Sequence, residues 1–458
     1  MSRLALGSAY RLALERLRAW AAHRIDTAVD SNPRFEPSLG QLVSTLLECG
    51  ERSLADRAIG KLLASQQSDG SWPASAVHCS ARETADALRG LLAALPSRPG
   101  TRSAIRRACD WCLDPRRSTL PIAYDDGDVA GLAVAASLDA AAEALADGSL
   151  SQAARRDHWS GADPRAVHRH QDQLAFLLDL RCLEAVQPLL QAAEQSQQSD
   201  GAIPADPQAA WACPTCIAQL AAAWYRAGRR GPADQALAWL LTPQEAASPA
   251  EDRSSPAATR ELLEAIHSHI AAAFADQVED FEDHIRRSDG RFGFLLQEAG
   301  TLAGQHVLDA GCGRGALARA LLTAYPSATL VALDHAPEML RHVPAAALAR
   351  CGSIQNLPFE DGCFDVAYCI EALEHAANPE AAVDELCRVV RPGGRVIIVD
   401  KNEERKGVLE IEAWERWFDR REVERWLARR CAEVRSTLLV HCPELGPGLF
   451  VGWRATRR

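Results

Sequence analysis

Nowhere in the 458 residues is there a run of about 18 uncharged apolar side chains, so the sequence predicts no membrane-spanning helix. The opening stretch, MSRLALGSAYRLALERLRAWAAHR, has helical patterning with arginines spread through it. It lacks the roughly 7–15-residue apolar core of a secretion signal, and a cytoplasmic location is expected. Basic charge is in deficit: 50 Lys and Arg against 61 Asp and Glu leave a net charge of -11. That withholds the basic footprint that nucleic-acid phosphates require, so no nucleic-acid partner is expected and a small or neutral partner is. Clustered metal ligands are also missing. The pairs Cys109-Asp-Trp-Cys112 and Cys213-Pro-Thr-Cys216 lie about a hundred residues apart in helical context without a knuckle glycine, and they read as buried apolar cysteines. His158, His168 and His170 have no metal spacing. No metal is expected, and the 14 scattered cysteines read as reduced thiols.

What is present is ample apolar material, 47% of the chain, at a length that suggests two or three domains of about 150 residues each. From Met1 to about Gln244 the pattern is helix after helix, in Ala- and Leu-rich runs such as TADALRGLLAALP and AQLAAAWYRAG, each stopped by Pro or Gly. No strand is expected there. The segment Thr242–Ala258, TPQEAASPAEDRSSPAA, has linker composition. Beyond it a helical lead-in over 259–300 gives way to short β-branched runs alternating with helical ones, the βαβ pattern of a doubly wound sheet.

The most informative stretch is QHVLDAGCGRGALARALLTAYPSATLVALD. An apolar strand, Val307–Leu308, ends on Asp309; Gly311, Gly313 and Gly315 make a turn around Cys312; a helix starts at Ala316; and a second strand ends on Asp334. Glycines there let backbone N–H groups and the helix N-terminus approach a ligand, and an acid at the end of the second strand can accept hydrogen bonds from both ribose hydroxyls. A nucleoside-bearing cofactor is implied. Gly311, Gly313 and Ala316 also satisfy the dinucleotide fingerprint, so NAD competes on spacing alone. Against it, Asp309 lies two residues before the first glycine, where a carboxylate repels pyrophosphate and attracts an ammonium group.

Downstream, SIQNLPFEDGCFDVAYCIEALEHAANPEAAVDELCRVVRPGGRVIIVDK resembles the class I S-adenosylmethionine-dependent methyltransferases that act on ubiquinone precursors and other small molecules. The resemblance covers roughly Phe281–Trp453. It implies an adenine loop at Gln355, Asn356 and Leu357, a fourth strand FDVAYCIEALEH, an R-P-G-G turn before the fifth strand, and a final hairpin from VRSTLLVHC and LFVGWRA that closes a seven-stranded Rossmann-like sheet. By resemblance S-adenosyl-L-methionine is the cofactor, Asp309 holds its ammonium, Gly311 and Gly313 pass beneath the methionine moiety, and Asp334 binds the ribose with His335 and Met339 beside it. Many relatives carry an acid where this chain has Ser353, so the adenine contact is either weaker or comes from Gln355 or Asn356. Glu371, Glu374 and His375 follow the fourth strand, with His375 the first choice of general base and Glu371 a pocket residue. Trp414, Trp417 and Phe418 form either an acceptor lid or a staple onto the core.

The hexapeptide SQQSDG occurs twice, from Ser65 and from Ser196, starts separated by 131 residues (196 minus 65). The run Leu62–Trp72 resembles the Q-W motif of squalene and hopene cyclases and their α/α-toroid relatives, over about Ser38–Leu241. The acidic run YDDGDVAG, Tyr124–Gly131, is similar to the acid site of terpene cyclases, but its order is D-D-x-D, and it reads better as a solvated turn before a helix. The expected organisation is an all-α, α/α-toroid-like domain at 1–241, a linker at 242–258 and a methyltransferase domain at 259–458. The expected activity is methylation, foremost of oxygen, on a small molecule, glycan or glycolipid bound or presented by the helical half. A cyclase or lyase fused to a tailoring methyltransferase, or a non-catalytic docking module, are the alternatives for that half.

Overall fold

The computed structural model describes residues 3–26, 38–73, 80–114, 137–138, 140–141, 145, 183–204, 212–242, 255–281, 283–285, 289–406, 409, 414–439 and 448–458. They group into two compact units, one of Ser8–Leu47 and Glu51–His269, the other of Ser2–Gly7, Glu48–Gly50 and Ile270–Arg458. Among the described residues no helix is long and apolar enough to cross a membrane.

The regular structure described in the first unit is helical, apart from one isolated bridge between Pro204 and Ala212. In the helix Leu39–Glu48 the buried residues Leu42, Val43, Leu46 and Leu47 recur at three- and four-residue intervals as one stripe, whereas Pro214–Arg226 is buried on nearly all sides. The two SQQSDG copies fold identically. The first ends the helix Arg52–Ser65, the second the helix Leu183–Ser196. In the first, the Gln66 amide donates to the Gly70 and Ala104 carbonyls at 3.0 and 2.9 Å; in the second, the Gln197 amide donates to those of Gly201 and Pro232 at 3.4 and 3.0 Å. Asp69 accepts from the Ser71 amide and Asp200 from the Ala202 amide, closing the same small turn. Gly70 and Gly201 have φ of +97° and +94°, and a Cβ on either would sit 2.2 or 2.1 Å from a carbonyl oxygen of the neighbouring helix, at Arg107 or Gln235. The hexapeptide is thus a helix stop that clasps the next helix by its backbone.

Trp72 follows the first clasp, 4% exposed, its indole N–H donating to the Leu62 carbonyl at 2.9 Å and its amide to the Thr84 hydroxyl at 3.0 Å. Trp72→Ala removes this packing and leaves the Leu62 carbonyl short of a donor. It is expected to lower the stability of the intact chain by about 3–5 kcal/mol, read as a drop in the denaturant midpoint at constant slope.

The second unit is a seven-stranded mixed sheet in the order β3-β2-β1-β4-β5-β7-β6. The strands are β1 His306–Ala310, β2 Thr329–Asp334, β3 Leu348–Cys351, β4 Phe364–Ile370, β5 Val390–Lys401, β6 Cys431–Leu439 and β7 Phe450–Arg457. The first five run parallel, and β7 enters antiparallel between β5 and β6. Residues alternate between two faces. Leu308, Ala310, Ala367, Cys369, Val396 and Ile398 pack against the helices Pro379–Val389 and Arg420–Ala428. Val307, Ala332, Tyr368 and Ile397 pack against the helices Gly290–Ala299 and Ala316–Ala324.

Several boundaries differ from the sequence reading. The strand expected over FDVAYCIEALEH stops at Ile370, because Glu371 turns the chain at φ +51° and Leu373–His375 form a 3-10 turn. Arg391–Gly394, expected as a turn before the fifth strand, lie within β5 as a bulge: Phe364 pairs with Val390 but Val366 with Arg395. Asp309 is the penultimate residue of β1 rather than its end, paired with Ala332 and Tyr368.

Candidate functional site

The carboxyl ends of β2, β1, β4 and β5 lie side by side, and strand order reverses between β1 and β4, where a doubly wound sheet opens a crevice for ligands. Asp309, Gly311, Cys312, Gly313 and Asp334 meet at that point. Both Asp334 oxygens accept backbone donors, Gly313 N–H at 2.8 Å and Ala336 N–H at 3.0 Å, so the carboxylate ties the glycine turn to the end of β2. Gly311 has φ +83°, and a Cβ there would fall 2.2 Å from the Ala372 Cβ. In front of Gly313 a Cβ would meet nothing within 4 Å.

Four of the turn's donors are already committed. Gly311 and Cys312 N–H go to the Leu333 carbonyl at 2.8 and 2.9 Å, Gly313 N–H to Asp334, and Gly315 N–H to the Cys312 carbonyl at 2.9 Å. With those four committed, the turn is a poorer cradle for a pyrophosphate, which needs such donors. Cys312 is a buried thiol donating to the Gly313 carbonyl, and burial pushes its pKa up.

Asp309 is 2% exposed; the hydroxyl of Tyr368, its buried cross-strand neighbour, faces the carboxyl without well-formed hydrogen-bond geometry, and among the described residues Asp309 Oδ2 has no other hydrogen-bond partner. Burial pushes the Asp309 carboxyl up to about 7, with the Tyr368 hydroxyl pulling it down and the Asp334 charge raising it. Burial also raises Asp334, against the Ala336 and Gly313 amides. Two acids, one with a poorly satisfied buried oxygen, beside a turn whose Gly311, Cys312 and Gly313 amides are committed, suit a ligand that carries a positive charge and hydroxyls.

The loop after β3 joins the same edge through Gly352 N–H, which donates to the Asp334 carbonyl at 3.0 Å. Within it the predicted residues separate. Gln355 is 4% exposed and its amide oxygen accepts the Asn378 N–H, so this side chain holds the protein together. Leu357 is fully buried, its backbone fixed between Glu385 and Arg388 at 2.9 Å each. Asn356 is half-buried, His335 is exposed at the rim, and Met339 is buried beside Ala336.

On the other side, Glu371 is ion-paired to Arg291, which Asp289 also holds at 2.6 Å. Arg291 was not singled out in the sequence, since nothing local links it to a residue 80 positions on (371 minus 291). His375 sits in an aromatic corner, 4.7 Å from the Phe274 ring centroid, with Trp414 on its Nδ1: the indole N–H donates at 3.3 Å. Its Nε2 faces Glu374 Oε1 at 3.3 Å. That arrangement assigns the proton to Nε2 and leaves Nδ1 the acceptor. Glu374, 1% exposed, also meets Lys401 at 3.0 Å, and Lys401 meets Glu415 at 2.9 Å. Burial pushes Glu374 up, but His375 and Lys401 outweigh it and hold it below the usual range. Ligand atoms of Glu374, His375 and Glu415 lie within 4.8 Å of one another, with the Lys401 ammonium between the two carboxylates. The trio Trp414, Trp417 and Phe418 divides: Trp417 and Phe418 are buried in the core, and Trp414 alone reaches His375.

In the first unit, Cys109, Cys213 and Cys216 are buried, and the Cys213 sulfur accepts the Cys216 N–H at 3.4 Å as a helix cap. The acidic run Tyr124–Gly131 and His158, His168 and His170 lie outside the described residues.

Residues 308–398 match the family described as a methyltransferase domain. A malonyl-[acyl-carrier protein] O-methyltransferase of Herminiimonas arsenicoxydans is 36% identical over 128 residues, 28% of this chain and 46% of that relative. A ubiquinone biosynthesis O-methyltransferase of Klebsiella pneumoniae (strain 342) is 32% identical over 148 residues, 31% of this chain and 60% of that one. The chain thus spans about half the length of these curated relatives. Among solved structures, geranyl diphosphate C-methyltransferase from Streptomyces coelicolor A3(2) is 16% identical, with 37% of this chain and 78% of that chain covered and a TM-score of 0.32. The domain match and the two curated relatives support a methyltransferase domain in the C-terminal region.

Proposed function

We propose that the C-terminal unit transfers a methyl group from S-adenosyl-L-methionine to an oxygen of a small molecule, glycan or glycolipid. The N-terminal helices, an α/α-toroid-like domain over 1–241 joined through 242–258 to the methyltransferase domain at 259–458, bind or present that acceptor. Oxygen is preferred because both curated relatives are O-methyltransferases by name. The observation that carries the cofactor reading is the buried Asp309 carboxyl, with only the Tyr368 hydroxyl facing it among the described donors, beside a glycine turn whose Gly311, Cys312 and Gly313 N–H groups are committed. The bound cofactor supplies an electrophilic methyl on a sulfonium, which needs in-line approach, a dry pocket and removal of the acceptor's proton. Asp309 holds the ammonium group. Asp334 accepts the ribose hydroxyls through the lone pairs its backbone partners leave, with Gly311, Cys312 and Gly313 beneath the methionine moiety. His335 and Asn356 flank the adenine side, and Gln355 and Leu357 shape that loop from within. His375 takes the acceptor's proton on Nδ1 while Glu374 holds Nε2–H, and Glu371, anchored by Arg291, walls the pocket.

The Asp309 carboxyl, protonated up to about pH 7 in the ligand-free protein, must ionise to hold an ammonium group. Affinity for S-adenosylmethionine is therefore expected to fall by up to ~10-fold per unit as pH drops below 7, with proton release on binding at pH 6 and little at pH 8. Calorimetry in buffers of differing ionisation heat reads both. Flat affinity and no proton release at pH 6 would remove Asp309 from the site.

A further inference from the structure

We propose that Cys387 and Cys431 form a redox-modifiable pair, which a peroxide-class oxidant joins as a disulfide tying the helix Pro379–Val389 to the edge strand β6. Their sulfurs face each other at 3.5 Å, and the residues are 0% and 1% exposed within one core cluster. Closing to a bond of about 2.05 Å asks for a movement of about 1.5 Å. Cys431 stands opposite Arg457 in the β6/β7 ladder and directly after Arg430. The chain end is fixed there: Arg457 Nη1 and Arg458 N–H both donate to the Arg430 carbonyl, at 2.8 and 3.1 Å. The Cys387 contact and then Arg457, Arg458 and Arg430 hold the Cys431 thiol below its usual range against burial, while the same contact and burial push Cys387 up. Cys431 is therefore the more acidic of the two, the attacking sulfur, and Cys387 the resolving thiol.

The Cys431 thiolate attacks one peroxide oxygen. An S–O bond forms, the O–O bond breaks, and the departing hydroxide takes a proton to leave as water. Cys387 sulfur then attacks the sulfenic sulfur: the S–S bond forms, the S–O bond breaks, and the hydroxyl leaves with the Cys387 proton as the second water. Two thiols and one peroxide give one disulfide and two waters. The link closes a loop of 44 residues and braces the helix that begins just beyond His375.

The test treats the intact, folded chain with hydrogen peroxide, alkylates the remaining thiols and digests with trypsin and a Glu-specific protease together. Cys387 is then released in Leu386–Arg388 and Cys431 in Cys431–Glu433. The expected result is a linked pair of these tripeptides, lighter by two hydrogens than their sum and abolished by reductant. The melting temperature should rise on oxidation by on the order of 5–10 °C, and Cys431→Ser should show no such rise. Failure to find the pair while the exposed Cys351 or Cys363 is oxidised overturns the proposal, as does a pair that forms only in urea-unfolded chain.

Discussion

Asp309→Asn is expected to abolish measurable binding of S-adenosylmethionine, a loss of at least ~100-fold, while making the ligand-free protein more stable above pH 7. The two effects share one cause. The carboxyl lies on the interior strand β1, 2% exposed, with an oxygen that, among the described residues, only the Tyr368 hydroxyl faces. Its folded-state pKa of about 7 exceeds the ordinary 3.8, so between those values the folded state holds a proton that the unfolded chain has released. Its favourable contribution is intact below about pH 4 and is lost as pH rises through 7, where an unpaired charge is buried. A shift of about three units corresponds to ~4 kcal/mol, of which local relaxation recovers part, so a gain on the order of 2 kcal/mol is expected for asparagine at pH 8 and little at pH 4. Denaturant melts at both pH values, beside calorimetry, check this. A variant that binds the cofactor normally, or that is destabilised equally at both pH values, would show Asp309 to be a structural carboxylate.

His375→Ala is expected to lower turnover on the true acceptor by ~10²–10⁴-fold with a much smaller change in KM, the range a positioned general base contributes. The geometry names the nitrogen. Glu374, pinned by Lys401, takes the Nε2 proton, and Nδ1 is left to accept, first from the Trp414 indole at 3.3 Å and then from the acceptor hydroxyl that displaces it. Glu374→Gln keeps the shape but removes the carboxylate that accepts the Nε2 proton, and kcat should fall with KM little changed. Trp414→Phe should retain turnover because it removes the donor that competes for Nδ1 while keeping an aromatic ring against Phe274. If His375→Ala raises KM alone and Glu374→Gln leaves kcat unchanged, the imidazole is packing against Phe274 and nothing more.

How much of this the sequence displays depends on whether the signal is local. The turn around Gly311 and Gly313 is legible because strand, glycines and helix are contiguous, and Asp334 because the second strand ends on it. The partners that tune these groups come from distant segments: Arg291 on Glu371, and Lys401 and Glu415 around Glu374, leave no mark in any one window. β3 escapes the strand pattern because Leu348–Cys351 is a mostly exposed edge, so no alternation is imposed on it. The left-handed Glu371 ends β4, and the run Glu371–His375 that follows has none of the β-branched or aromatic residues that would carry the strand on, so the extension rests on the family resemblance alone. The SQQSDG copies announce a repeat, yet the clasp needs the carbonyls of Ala104 and Pro232, which no side-chain pattern reveals.

The most direct test of the central claim is calorimetric titration of the intact chain with S-adenosylmethionine and separately with NAD, repeated on Asp334→Ala. The structure predicts saturable binding of S-adenosylmethionine at one site per chain, weakened at least ~10-fold by Asp334→Ala, and no binding of NAD. Absence of binding, unchanged affinity in Asp334→Ala, or preference for NAD would contradict it.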